Sequence, residues 1–375
     1  MNIAVNTRLL LSNKLEGIGW FTYESLKRIT VQHPEHHFYF LFDREYDPQF
    51  IFSGNVSPVV LYPQARHPVL YYTWFEVIIP RFFEKIRPDL FLSPDGFLSL
   101  KTRVKSLAVF HDLNFEHYPQ DIPYWTRLYY RRFFPQYARK AVRIATVSEF
   151  SKSDIVKQYH VTPDKVDVVY DGANEAYRPL TNREKRLARE KYAKGNPYFI
   201  FIGALHPRKN LANLFRAFDL YKKSNPSPVR LVIVGAKKWW TREIESAYNQ
   251  MNFSGDVIFT GRLNIDELKI VLGGALALTY VSYFEGFGIP IIEAFRADVP
   301  VITSNVTSMP EVAGEAALLV DPFSPESIAD ALYKASHYER MREELIHRGR
   351  RQMELFSWQL TADKLWNSIN HAFNS

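Results

Sequence analysis

A chain of 375 residues is too long for one ordinary core and points to two domains of typical size. Its 46% apolar residues supply ample core, 23% charged residues exclude global disorder, and the absence of cysteine excludes disulfides, thiolate metal sites and cysteine nucleophiles together. A formal charge of +7 favours anionic partners: phosphorylated small molecules, acidic lipid surfaces or nucleic acid. The opening MNIAVNTRLLLSN has an apolar run broken by Asn6, Thr7 and Arg8, and lacks the features of a signal peptide. No run reaches the ~18 apolar residues of a membrane helix. The chain therefore reads as cytoplasmic, with peripheral contact at a membrane left open.

Apolar runs at 3–5, 38–42, 90–94, 106–110 and 143–147 read as buried strands, as do those at 198–203, 230–235, 256–261, 275–281 and 300–304. Helix-like stretches lie between them, at 20–30, 151–158, 211–224 and 324–335. This alternation predicts an α/β fold with parallel sheets covered by helices. Pro179 opens a charged segment after one strand ends and before the next begins, which divides the chain into 1–178 and 179–358. The tail, from about 359 to 375, reads as an amphipathic helix with Leu360, Leu365 and Ile369 on one face.

The stretch SYFEGFGIPIIEAFRADVPVIT places Glu285 against the turn Gly286–Phe287–Gly288, and Glu293 one turn into the helix that Pro290 opens. Glycines there let backbone amides face a ligand, and the helix start favours an anion. A glycine-kinked loop with an acidic residue near a helix N-terminus has the same spacing. Upstream, FIGALHPRKNLANLF also runs strand, Gly203, loop and helix, with Arg208 and Lys209 just before the helix. Two cations there suit a diphosphate, and ligands of open α/β sheets gather at this edge. In the first half, LAVFHDLNFEHYP sets His111 at the end of a buried strand, facing a cleft or satisfied beside Asp112. NKLEGIGWFTYESL offers Gly17 and Gly19 in the loop after the first strand, with Thr22 where a dinucleotide fingerprint would have its third glycine.

Two features point elsewhere. HPEHH at 33–37 lacks the ordered spacing of a zinc site and reads as a solvated loop. YWTRLYYRRFFPQYARKAVR at 124–143 could meet RNA or a membrane surface, or could be a helix with its aromatic face turned inward and its arginines wet. No D-x-D triplet occurs, which removes one route to a metal-held diphosphate.

The E-x7-E spacing of Glu285 and Glu293, the G-x4-RKN of Gly203–Asn210 and the downstream AALLVDPFSPESIADAL together resemble family 4 of the retaining, nucleotide-sugar-dependent glycosyltransferases. The likeness covers most of the chain and is strongest over 201–330. It implies the GT-B fold, two Rossmann-like domains with parallel sheets facing across a cleft, and a tail helix that crosses back onto the N-terminal, acceptor-side domain. It implies a hexosyl donor carried on a nucleoside diphosphate, mannosyl preferred, and a glycan or lipid-linked acceptor; no cofactor is expected, and the missing D-x-D, the missing cysteines and the Arg208–Lys209 pair predict activity without a divalent metal. Under it, Arg208 and Lys209 hold the donor diphosphate, Glu285 contacts the transferred sugar, and Gly286–Gly288 present amides. Glu293 grips the ribose, His111 faces the donor sugar, and Gly17 and Gly19 lie under the phosphates or acceptor. DGAN at 171–174 and TSMPE at 307–311 depart from the family pattern, so neither segment is given a donor role. A phosphorylase or epimerase of the same fold is the alternative enzyme, and a non-catalytic nucleotide-sugar or RNA-binding protein the alternative class. No RNA-binding motif accompanies the basic residues.

Overall fold

Short runs of aliphatic and aromatic residues with no polar alternation suit strands buried on both faces, and they form the centres of two parallel sheets. In the computed structural model, which describes residues 1–12 and 14–375, one unit comprises Met1–Gly172 with Trp358–Ser375, and the other Ala173–Ser357. The first holds β1 (Asn2–Asn6), β2 (His37–Phe42), β3 (Val56–Val60), β4 (Leu90–Ser93), β5 (Lys105–Phe110), β6 (Arg143–Thr146) and β7 (Val166–Val168). The second holds β8 (Tyr198–Ile202), β9 (Arg230–Val234), β10 (Val257–Gly261), β11 (Ala277–Tyr280), β12 (Val301–Ser304) and β13 (Ala317–Val320).

The strand orders are β3-β2-β1-β4-β5-β6-β7 and β10-β9-β8-β11-β12-β13. Every pairing is parallel, for example Ala4 opposite Tyr39 and Phe91 opposite Ser106. This is the expected α/β class. The order reverses between β1 and β4 in one sheet and between β8 and β11 in the other, which opens a crevice at the C-terminal strand ends. The edge strands β3 and β13 are not legible as apolar runs, because they are short and half-exposed. Pro58 is tolerated in β3 because an edge strand can do without one ladder donor.

The first core packs Phe91, Ala108, Phe110 and Ile144 from the sheet against Phe97, Phe134 and Tyr137. A π-helical turn, Trp74–Ile78, joins helices Pro68–Thr73 and Ile79–Ile86. It buries Glu76, whose carboxylate accepts from the backbone amides of Leu100 and Lys101, while Phe75 stacks on Phe97 at 5.3 Å. The second core packs Phe199, Phe201 and Ile233 against Leu214, Phe215 and Phe218 of helix Leu211–Ser224.

The division falls after Gly172 rather than after residue 178. Residues 173–178 go with the second unit because Tyr177 is buried there and hydrogen-bonds Glu293. Helix Trp358–Asn374 returns to the first unit: Thr361 Oγ donates to the Tyr170 carbonyl at 2.6 Å, and Lys105 Nζ to that of Phe373 at 2.7 Å. HPEHH is the expected turn, with Pro34 and Glu35 exposed, but its His33 is half-buried and stacks on Trp366 of this helix with ring centroids 3.8 Å apart.

Candidate functional site

Arg208 and Lys209 occupy the 3-10 turn Pro207–Lys209 beyond β8, and Glu285 the loop beyond β11, the two strands flanking the reversal of the second sheet. One carboxylate serves both cations: Glu285 Oε2 accepts from Arg208 Nη1 at 3.0 Å and Oε1 from Lys209 Nζ at 2.5 Å. Glu285 is 5% exposed. Burial alone would raise its pKa, but the Arg208 and Lys209 charges outweigh this and hold the carboxyl below its usual range. Lys209 Nζ also donates to the Tyr280 hydroxyl and sits 4.8 Å from the centre of that ring. Two cations against one carboxylate leave a net positive pocket at a strand end, suited to a doubly charged diphosphate.

The glycine turn is held from beneath. The Ser308 hydroxyl bridges the carbonyls of Glu285 at 2.9 Å and Phe287 at 3.1 Å. Gly286 is buried in the turn, and Phe287 packs edge-on to Phe356 with centroids 5.4 Å apart. Gly288 has φ +111° and starts helix Ile289–Arg296, a conformation that L side chains rarely adopt. Gly203 follows β8 directly, and its backbone amide donates to the Val234 carbonyl at 3.0 Å.

Glu293 lies in helix Ile289–Arg296, where its carboxyl hydrogen-bonds Tyr177. Desolvation pushes its carboxyl up to about 8, against the weaker effect of that hydrogen bond, although part of the residue still meets solvent. At neutral pH the ligand-free group is therefore largely protonated. Glu285 and Glu293 share a helix-and-loop segment but hold opposite protonation states.

The first unit carries the other expected residues. Gly17 and Gly19 are not in a loop: they belong to the first turn of helix Gly17–Gln32. Gly17 is exposed with open space where a Cβ would point, whereas Gly19 is buried beneath Leu9 and Leu15. The helix begins this early because Glu16 is already extended at its N-cap position. His111 sits just beyond β5, and its Nε2 lies 2.8 Å from the Pro94 carbonyl. A carbonyl only accepts, so Nε2 carries the proton and Nδ1 presents a lone pair. Burial holds the imidazole below its usual pKa, so it is neutral, despite the opposing effect of the Pro94 contact. His111 lines a cavity of about 770 Å³ with residues following β1 and β4.

Three positioning residues are given no role by the motif reading. Asn210, left-handed at φ +60°, donates Nδ2 to the carbonyls of Val281 at 3.0 Å and Pro322 at 2.6 Å, which ties the Arg-Lys turn to the loop carrying Glu285. Its side chain in RKN is the available signal, since Asn tolerates that conformation. Gly235 ends β9 so close to Gly203 that a Cβ would lie 1.9 Å from the Gly203 carbonyl oxygen. Tyr177 has no local signal at all. Among the described residues no group of three or more His, Asp or Glu side chains could hold a metal ion, and no helix is long and apolar enough to cross a membrane.

Two family models match the chain: "Glycosyl transferases group 1" over residues 182–352 and "Glycosyltransferase Family 4" over 17–177. The chain is similar to O-antigen chain mannosyltransferase B of Escherichia coli, 28% identical over 68% of this chain and 67% of that protein. It is 30% identical to O-antigen chain mannosyltransferase RfbU of Salmonella typhimurium, over 59% of this chain and 58% of the relative. Sucrose-phosphate synthase from Thermosynechococcus elongatus superposes with a TM-score of 0.80 at 18% identity, covering 100% of this chain and 99% of that one. The arrangement of the two sheets' elements is thus that of GT-B glycosyltransferases.

Proposed function

The chain belongs to the group 1 glycosyl transferases of family 4, and from that membership we propose that it moves a mannosyl group from a nucleotide-diphosphate sugar to a hydroxyl of a glycan or lipid-linked acceptor, with retention at the anomeric carbon. The observation that carries this reading is the pairing of both Arg208 and Lys209 with Glu285 at the β8–β11 crevice. In the proposed complex the diphosphate lies against the two cations, which stabilise the charge that grows on the leaving group. Glu285 meets hydroxyls of the transferred sugar while steering Lys209, the amides of Gly286–Gly288 face phosphate or sugar, and Glu293 takes the ribose. No metal or other cofactor has a part in this reading, because fixed cations neutralise the diphosphate. The mannosyl assignment is supported by the two mannosyltransferase relatives.

Contact with a membrane surface is part of the same proposal. Helix Tyr124–Lys140 turns Tyr129, Phe134 and Tyr137 inward but leaves Trp125 67% and Tyr124 56% exposed, with Arg131 and Arg132 in solvent beside them. Aromatic rings interleaved with arginines suit an anionic lipid interface.

Incubating the protein with labelled GDP-mannose, and separately with UDP-hexoses, with and without lipid-linked glycan acceptors, tests the reading. An α-linked product from GDP-mannose in the presence of EDTA is expected. Release of sugar 1-phosphate with inorganic phosphate, or an epimerised nucleotide sugar without acceptor, would replace it by one of the other activities of this fold.

A further inference from the structure

The chain passes between the two units twice, after Gly172 and after Ser357, and both passages are anchored on one helix. Helix Ile289–Arg296 carries Glu293, whose carboxyl hydrogen-bonds the buried Tyr177 just beyond the first passage. Residues 174–177 form a closed turn: Asn174 Oδ1 accepts from the Ala176 amide at 2.9 Å, and the Asn174 carbonyl from the Tyr177 amide at 3.3 Å. The lead-in to the second passage is clamped to the same helix and to Asp298 beyond its end. Arg350 Nε donates to Asp298 Oδ1 at 2.8 Å, and Gly349 approaches so closely that a Cβ would lie 2.8 Å from the Phe295 ring. The turn Met353–Leu355 packs on the helix, and the buried Phe356 meets Phe287 of the glycine turn edge-on at 5.4 Å. Within the first unit the two segments are stitched to each other. Thr361 Oγ1 donates to the Tyr170 carbonyl at 2.6 Å, and Lys364 Nζ sits 4.9 Å from the centre of the Tyr170 ring. Only Ser357 separates Phe356 from helix Trp358–Asn374, and only residues 171–173 separate Tyr170 from the turn at 174–177.

We propose that Tyr177 and Phe356 are positioning residues that carry occupancy of the segment 285–293 to both passages, so that a bound nucleotide stiffens the joints between the units. The inference rests on the transfer reading above for the ligand's identity, and on the packing alone for the coupling. The two routes answer to different parts of the ligand. A ribose hydroxyl that donates to Glu293 favours its ionised form, and a carboxylate has lone pairs enough for the ribose and for Tyr177 together. The Tyr177 hydroxyl then donates to a charge, which makes a shorter and stronger bond. Diphosphate oxygens taken by the amides of Gly286–Gly288 fix the backbone of Phe287 instead, and with it the ring that packs on Phe356. A hinge is a few residues that absorb the change in φ and ψ between two bodies, and tighter anchors on its flanks leave less for it to absorb. A Tyr177 that served the core alone would use its ring, and its hydroxyl would make no distinction between ligands.

Hydrogen exchange of the full chain, read on peptides covering 170–178, 203–210, 285–293 and 353–360, tests this with GDP, UDP and inorganic pyrophosphate as ligands. The nucleotide that binds is expected to slow exchange over 170–178 by about five- to tenfold, the step from a neutral to a charged hydrogen bond. It should slow exchange over 353–360 as well. Pyrophosphate, which has no ribose, should act on 353–360 and leave 170–178 unchanged. Tyr177→Phe keeps the ring in the core and loses the hydroxyl, so nucleotide should still protect 353–360 and no longer 170–178. Phe356→Leu keeps an apolar side chain and should show the reverse pattern, so a folding defect of one variant does not decide the outcome. The proposal is overturned if Tyr177→Phe responds as wild type does, or if pyrophosphate protects 170–178 as fully as the nucleotide. Protection over 203–210 and 285–293 without protection at either passage removes this inference alone. If neither nucleotide changes exchange over 203–210 or 285–293, the transfer reading falls and this inference with it.

Discussion

Lys209 Nζ lies 2.5 Å from Glu285 Oε1, so before any donor arrives the cation best placed for a diphosphate is already held by the carboxylate proposed to meet the sugar. Glu285 is buried and Lys209 partly so, and Arg208 shares the same carboxylate. Under the proposed reading Glu285 has two linked tasks, contact with the sugar and orientation of the cations, and perturbing it disturbs both.

Glu285→Gln is expected to lower kcat/KM for the donor by about ten- to a hundredfold, the worth of a charged hydrogen bond. It should also destabilise the ligand-free protein by about 2–3 kcal/mol, less than for a fully buried pair because Arg208 keeps 25% of its side chain in solvent. Adding nucleoside diphosphate should restore more stability to the variant than to wild type, since it supplies the missing negative charge. Thermal unfolding with and without GDP checks this; equal shifts in both proteins would contradict it.

The Glu293 carboxyl, pushed up to about 8 by burial, gives donor binding a pH dependence. Ribose hydroxyls donate more strongly to an ionised carboxylate, so donor affinity in wild type should rise as pH increases from 6 to 8 and level off above. The rise is bounded at about tenfold per unit, the energy of one pKa unit. Glu293→Gln should remove the slope and fix affinity near the low-pH value. Equilibrium titrations of GDP-mannose across that range decide it, and a flat wild-type curve would remove Glu293 from the ribose.

Asp171 is 4% exposed, its Oδ1 lacks a hydrogen-bond partner, and burial pushes its carboxyl up to about 8. Because the folded value exceeds the unfolded one, the protonated group's stabilising contribution is complete below about pH 4 and is lost as pH rises through 8. Wild type should therefore lose up to about 1.4 kcal/mol per pH unit through this group. Asp171→Asn should show a shallower decline between pH 6 and 8 in urea unfolding. Parallel curves would show that Asp171 ionises freely in the folded chain.

Two glycines should behave oppositely. Gly235→Ala sets a methyl 1.9 Å from the Gly203 carbonyl oxygen, forcing backbone to move, and should cost several times the ~1 kcal/mol of an ordinary glycine exchange as well as donor affinity. Gly17→Ala has open space and a helical position, so stability should hold or rise by up to about 1 kcal/mol. A raised donor KM in that stable variant would support a ligand role for Gly17; an unchanged KM would leave it a helix start only.

Wild type is expected to co-sediment with vesicles containing anionic lipid at low salt and not at high salt, and Trp125→Ala combined with Arg131→Ala and Arg132→Ala should abolish this. All three substitutions lie outside the buried face of their helix, so the melting temperature should be unaltered. Absence of vesicle binding by wild type at low salt would end the membrane proposal.

The local signals in the sequence were those carried by short-range physics. Doubly buried strands such as Tyr198–Ile202 need an unbroken apolar run, and helix Leu211–Ser224 starts and ends where its apolar spacing says. The RKN and E-x7-E spacings placed Arg208, Lys209, Glu285 and Glu293 beside strand ends for the same reason, because strand–loop–helix order is local. Charge state is not local. Lys209 meets Glu285 across 76 residues and Arg8 meets Asp95 across 87, and neither pairing leaves a trace in spacing. Two glutamates eight positions apart read alike in the chain. Only folding shows one to be ionised between two cations and the other protonated against Tyr177, because a carboxyl's pKa is set by what surrounds it in space.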